Sequence, residues 1–239
     1  MPCRTPNGKQ NHLNKNRFRT TGINRLFSSH WYWQCMDSPV SDVIADRFCS
    51  GLGPATLIST VDGDLPVEWL AVGDRVVTRD GGAQPIRKII RYQPEYSEIV
   101  ADPTRWPITI PKDQFSTGCP NHPLVVSPLH RVLLTGGAIE YLFGQAEVFA
   151  AAAHLFPTDC SHAPRPGFTY YHLLLDDHHA ILANGLWTES LLASEAAISG
   201  GSQIPDHPQC TARPCLHKWE TMVLCDLIGL PLNAHRHAA

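Results

Sequence analysis

Turn signals recur so closely between Gly51 and Asp80 that this stretch has room for short strands and little else. It reads GLGPATLISTVDGDLPVEWLAVGDRVVTRD. Thr56 to Val61 is rich in β-branched residues, whose stiff χ1 suits a pleated strand better than a helix. Asp62-Gly63 supplies a hairpin turn, because glycine accepts the positive φ that other residues resist. Pro66, Val67, Trp69 and Leu70 are expected to form an apolar clamp, and Val72-Gly73-Asp74 turns the chain into Arg75-Val76-Val77-Thr78. Asp80-Gly81-Gly82 closes a further turn.

The same punctuation continues downstream. Gln84 to Tyr92 alternates apolar and polar residues, as a half-buried strand does. Residues 93–107 hold Pro94, Pro103 and Pro107 and are expected to be loop. Ile108-Thr109-Ile110 reads as a strand, and Leu124 to Leu134 as strand, corner, strand, with Pro128 tolerated where the ladder is interrupted. Glu147 to Leu155 reads either as a short helix or as a strand running into a helical edge. Tyr170 to Asp176 and Ala180 to Ala183 are further strands, the latter ending at the turn Asn184-Gly185. Beyond Ser190 the pattern changes. Ala193 to Pro208 reads as linker, and Pro214 to Ile228 carries Leu216, Trp219, Val223 and Leu227 at helical spacing. Twenty prolines and seventeen glycines in 239 residues suit this turn-rich reading and not a helix bundle. The expectation is an all-β fold with a short C-terminal helix. Its boundaries are a basic arm at 1–48, the β domain at 49–194, and a linker with an amphipathic helix at 195–239.

Charge is uneven. Arg4, Lys9, Lys15, Arg17, Arg19 and Arg25 lie in residues 1–36 without an acid, so the remainder carries −9 against an overall −3. This arm is expected to be solvated and disordered, not a nucleic-acid contact, and Met36 is a second candidate start. No apolar run reaches the ~18 residues a membrane-spanning helix needs. The eight cysteines are irregularly spaced. Cys210, Cys215 and His217 make one loose group where a structural zinc site needs tight pairs, so no metal and no small-molecule cofactor is expected.

The order of motifs in the first block resembles the opening of the Hint fold shared by hedgehog autoprocessing domains and inteins. Thr56, Asp62-Gly63, Val67-Glu68-Trp69-Leu70 and Gly73-Asp74-Arg75-Val76 all fall in place. Ser127-Pro128-Leu129-His130 is similar to the family's T-x-x-H block, with serine for threonine. Tyr171 to Leu186, containing Asp177-His178-His179 and Ala183-Asn184-Gly185, resembles the family's closing strand block. Thr211-Ala212-Arg213-Pro214-Cys215-Leu216 with Glu220 is similar to the end of a bacterial Hint-domain subfamily. The resemblance spans residues 50–225 and implies a pseudo-two-fold β fold that rearranges a peptide bond in its own chain.

That chemistry starts with an N-to-S or N-to-O acyl shift, in which a side chain attacks the peptide bond before it. The leaving nitrogen must gain a proton and the carbonyl oxygen must be held as charge develops. The resemblance implies Ser127 and His130 for these tasks, and His178 or His179 as the closing-block histidine. It also exposes two departures. The nucleophile position, five residues before Thr56, holds Gly51, which leaves Cys49, or Ser50, as the nearby nucleophile. Where inteins end in His-Asn this chain has Glu189-Ser190, so the asparagine cyclisation of splicing has no nucleophile. The substrate implied is the chain itself. The rival expectation is a catalytically inactive Hint-derived binding or structural module; a zinc-dependent hydrolase is a third and weaker reading. Glu68 and Asp74 are expected to cap turns.

Overall fold

The structure, a computed structural model, describes residues 50–156, 165–192 and 211–230. Cys49, the basic arm and the linker lie outside the described residues.

Hairpins form where the sequence marks turns. Strands β1 (Leu57–Thr60) and β2 (Gly63–Pro66) pair antiparallel, with Thr60 opposite Gly63 and Gly63 at φ 106°. β3 (Arg75–Thr78) and β4 (Gly82–Pro85) pair in the same way. β11 (Ala180–Ala183) turns through Asn184-Gly185 into β12 (Leu186–Glu189). Both turn residues have positive φ, 48° and 75°, the pair of left-handed conformations whose twist matches the flanking strands. Asn184 also holds the turn to the rest of the fold, accepting Leu57 N at 2.7 Å and donating to Pro123 O at 2.9 Å.

β8 (Arg131–Thr135) and β9 (Glu147–Ala151) extend the sheet, whose order is β2-β1-β3-β11-β12-β8-β9, with β4 pairing β3. Two smaller ribbons pack with it. One joins β5 (Lys88–Tyr92) to β10 (Tyr170–Leu174), and the other joins β6 (Ile108–Ile110) to β7 (Leu124–Val126). Alternate residues of these strands, including Ile58, Val76, Ile110, Leu124, Val126, Val132, Val148, Leu173 and Ile181, fill one core. Fully burying each such side chain contributes about 1.5–3 kcal/mol. Glu68 and Asp74 cap turns as expected, accepting Ala55 N at 2.6 Å and Ala71 N at 2.8 Å.

Three expectations are corrected. The segment 93–107 contains a helix at Tyr96–Ala101 and a 3-10 turn at Pro103–Arg105, because Asp102 accepts Thr104 N and Trp106 Nε1 donates to Ile99 O. Trp69 is exposed, while Val67 and Leu70 of the same clamp are buried. The C-terminal helix, Lys218–Ile228, buries Glu220, Thr221, Leu224 and Cys225, and turns Trp219, Val223 and Leu227 to solvent. The apolar row is not the packed face. A capping box between His217 and Glu220 sets where the helix starts, and the chain before it fixes its rotation. None of the described helices is long and apolar enough to cross a membrane.

Candidate functional site

Residues 50–53 thread between β7 and β10. Leu52 exchanges backbone hydrogen bonds with Tyr171 at 2.9 and 2.8 Å, and Gly53 N donates to Val125 O at 2.7 Å. Ser127 N donates to Gly51 O, and Gly51 N donates to Ser127 Oγ, both at 2.9 Å. This double tie sets Ser50 against the corner that follows β7. Within that corner His130 N donates to Ser127 O at 3.1 Å, while His130 O accepts Ala152 N at 2.9 Å, so the backbone holds the histidine on both sides. The result is a contact of 2.8 Å between Ser50 Oγ and His130 Nδ1, with both residues buried.

Gly51 has a steric reason to be glycine. A Cβ there would lie 2.9 Å from both His172 Cε1 and Tyr170 Cβ, closer than carbon atoms approach. His172 fills the volume that a side chain at position 51 would need. It is 5 % exposed, and its Nδ1 has no hydrogen-bond partner among the described residues. No sequence motif singles out His172. Its significance comes from the pairing of Leu52 with Tyr171, which brings it opposite Gly51.

The closing strand brings a second set of groups. Glu189, 1 % exposed, accepts Arg131 N at 2.8 Å and Arg131 Nη1 at 2.6 Å. His178 Nε2 lies 3.5 Å from Glu189 Oε2, and His178 Nδ1 accepts the backbone N–H of Ala212 at 2.9 Å. Phe149 meets the His178 ring edge-on, with centroids 5.6 Å apart. His179 diverges: its N–H donates to Ser190 Oγ at 2.9 Å, its carbonyl accepts Ser190 N at 2.8 Å, and its ring lies beside Gly81. His178 is buried, because the tail folds over it.

Ser127, His130 and His178 are thus brought to one buried polar cluster, His179 is not, and Cys49 lies outside the described residues. Glu189, Arg131 and His172 join the cluster without having been singled out as catalytic. Arg131 adjoins His130 in the chain, and Glu189 had been noted only as a departure from His-Asn.

Burial pushes His130 down to about 4, with Glu189 opposing and Arg131 and His178 adding to the fall. Burial also pushes His172 down to about 4, assisted by His130. Burial alone would raise Glu189, but Arg131 and the His178 contact hold it below the ordinary carboxylate range. At neutral pH the cluster therefore carries an ionised carboxylate and neutral imidazoles at 130 and 172. The Nδ1 lone pair of His130 can accept the Ser50 hydroxyl proton. Among the described residues no group of three or more His, Cys, Asp or Glu is placed to hold a metal ion.

A model of the Hint domain family matches residues 50–195. Among solved structures, the crystal structure of the gp41-1 intein is similar, with a TM-score of 0.34 and 11 % identity over 59 % of this chain and 98 % of that one. A GSH-linked, splice-inactive variant of the AceL NrdHF class 3 split intein has a TM-score of 0.37 and 15 % identity, over 58 % of this chain and 95 % of that one. A search of curated proteins found no match.

Proposed function

Because the chain belongs to the Hint-domain family, we propose that it performs an N-to-O acyl shift on itself, with Ser50 as nucleophile and His130 as proton carrier. The observation that carries this reading is the 2.8 Å contact between Ser50 Oγ and His130 Nδ1. The family's nucleophile position is vacated at Gly51, and a hydroxyl one residue earlier meets the corner histidine instead.

The step balances without an external reagent. Ser50 Oγ attacks the Cys49 carbonyl carbon, and its proton passes to His130 Nδ1. The new C–O bond forms, the Cys49–Ser50 C–N bond breaks, and the proton passes on to the Ser50 nitrogen, which leaves as an amine. The product is an ester joining Cys49 to the Ser50 side chain. Water then hydrolyses it, releasing residues 1–49 from a chain that begins at Ser50. Glu189-Ser190 offers no asparagine to cyclise, so the reading is self-cleavage without splicing.

The second reading, an inactive Hint-derived module, is favoured by one specific observation: His172 fills the space of a nucleophile at position 51. Intact mass of the full chain, with and without hydroxylamine to trap the ester, separates the two. Self-cleavage gives a fragment beginning at Ser50. Ser50→Ala abolishes it, His130→Ala slows it by about a hundredfold or more, and Cys49→Ala leaves it in place. A thiol-dependent fragment beginning at Cys49 would move the nucleophile to that residue. A single uncleaved mass in every sample establishes the inactive module.

A further inference from the structure

The segment Thr211 to Leu216 lies beyond the matched family region, yet it returns to the buried cluster. It is laid along β9: Phe149 N donates to Pro214 O and Leu216 N donates to Phe149 O, both at 2.8 Å. Arg213 fastens it at a second place. Its Nε donates to Glu147 at 2.7 Å and its Nη2 to Asp80 at 2.8 Å, so one guanidinium joins β9 to the turn after β3. Immediately before Arg213, the Ala212 N–H donates to His178 Nδ1.

That hydrogen bond decides where the His178 proton sits. A nitrogen that accepts an N–H carries no proton of its own, so in the neutral ring the proton is on Nε2, the atom facing Glu189. The opposite tautomer would set an Nδ1–H against the Ala212 N–H and a lone pair against a carboxylate. Glu189 is thereby faced from two sides: Arg131, the residue that follows His130, hydrogen-bonds it, and His178 Nε2 lies 3.5 Å away, close enough to favour the protonated nitrogen without a hydrogen bond.

We propose that Arg213 is a positioning residue for the Ser50–His130 pair, acting by clamping the Thr211–Leu216 strap so that Ala212 fixes the tautomer of His178 and, through Glu189 and Arg131, the seat of His130. The effect on cleavage rests on the acyl-shift reading above; the effect on His178 does not. A lone pair in place of the Nε2–H would repel the carboxylate 3.5 Å away, which would reorient with Arg131 and shift the corner that carries His130. Small misplacements of reacting groups cost large factors in rate.

Full-length protein with 15N-labelled histidine reports the tautomer directly from its ring-nitrogen resonances, and intact mass against time reports release of residues 1–49. In the unaltered chain His178 shows the Nε2–H form. Arg213→Ala brings in the Nδ1–H form and slows release about tenfold. Arg213→Lys restores both in part, since a single ammonium cannot bridge two carboxylates as a guanidinium does. Arg87→Ala removes another two-point ion pair, with Asp176, and moves neither readout. An Nδ1–H His178 in the unaltered chain overturns the proposal, as does an Arg213→Ala chain whose tautomer matches the unaltered one. If the unaltered chain releases nothing, the acyl-shift reading falls alone, and the resonances still decide the role of the strap.

Discussion

The two edges of the domain are built from the same materials and put to different ends. At the opening edge Ser50 and Gly51 lie beside His130 and His172; at the closing edge Glu189 and Ser190 lie beside His178 and His179. Both edges are buried and both are rich in histidine. At the opening edge a hydroxyl faces an imidazole nitrogen at 2.8 Å, a pairing that can move a proton. At the closing edge a carboxylate is neutralised by a guanidinium, and Ser190 Oγ accepts a backbone N–H. The lesson is that burial sets how strongly groups interact, while the identity of the partner sets whether anything can react.

Acid should break the opening edge first. His130 and His172 sit at about 4, well below the unperturbed ~6.5, so between those values the unfolded chain binds protons that the folded chain refuses. Stability is complete above pH ~6.5 and is lost as pH falls toward about 4, by about 3 kcal/mol for each histidine, while Glu189 remains ionised. Urea denaturation across that pH range measures the loss. In a His172→Leu chain the slope should roughly halve.

The closing edge is broken by Glu189→Ala, which strips a buried partner from Arg131. A loss of about 1.5–3 kcal/mol is expected by chemical denaturation, since the change removes the charged acceptor of the Arg131 N–H and guanidinium, while the partly exposed Arg131 side chain keeps part of its solvation. Glu189→Gln should cost less, because an amide oxygen still accepts the Arg131 N–H.

Gly51→Ala tests the steric account of the opening edge. The added methyl meets His172 and Tyr170, and overpacking of this kind costs about 1–3 kcal/mol. Combining it with His172→Ala should return part of that loss. Strict additivity in the double mutant would refute the claim that His172 occupies the space of residue 51.

The smallest effect concerns neither edge. Trp219→Ser on the outer face of the C-terminal helix should change stability by no more than about 0.5 kcal/mol. Leu224→Ala, one turn along on the packed face, should cost about 2–5 kcal/mol. Equal losses would mean that the helix packs on its apolar row after all.

Much of the strand framework is written locally. Asp62-Gly63 and Asn184-Gly185 place hairpins because few other dipeptides tolerate positive φ, and alternating apolar residues assign the buried faces of the strands between them. The corner Ser127 to His130 was legible for the same reason, as a proline in a ladder marks where the ladder stops. Relations between distant residues were not legible in this way. Ser50 meets His130 because Gly51 hydrogen-bonds Ser127, across 76 positions of chain. His172 faces Gly51 through strand pairing, and Ala212 reaches His178 because the tail lies along β9. The C-terminal helix shows the limit most plainly: its periodicity predicted a helix correctly but chose the wrong face. Local sequence determined which segments could be strands, turns and helix, because backbone preference and side-chain period act over a few residues. Only the tertiary structure decided which hydroxyl met which imidazole, because that depends on strand register and on the path of chain segments far apart in sequence.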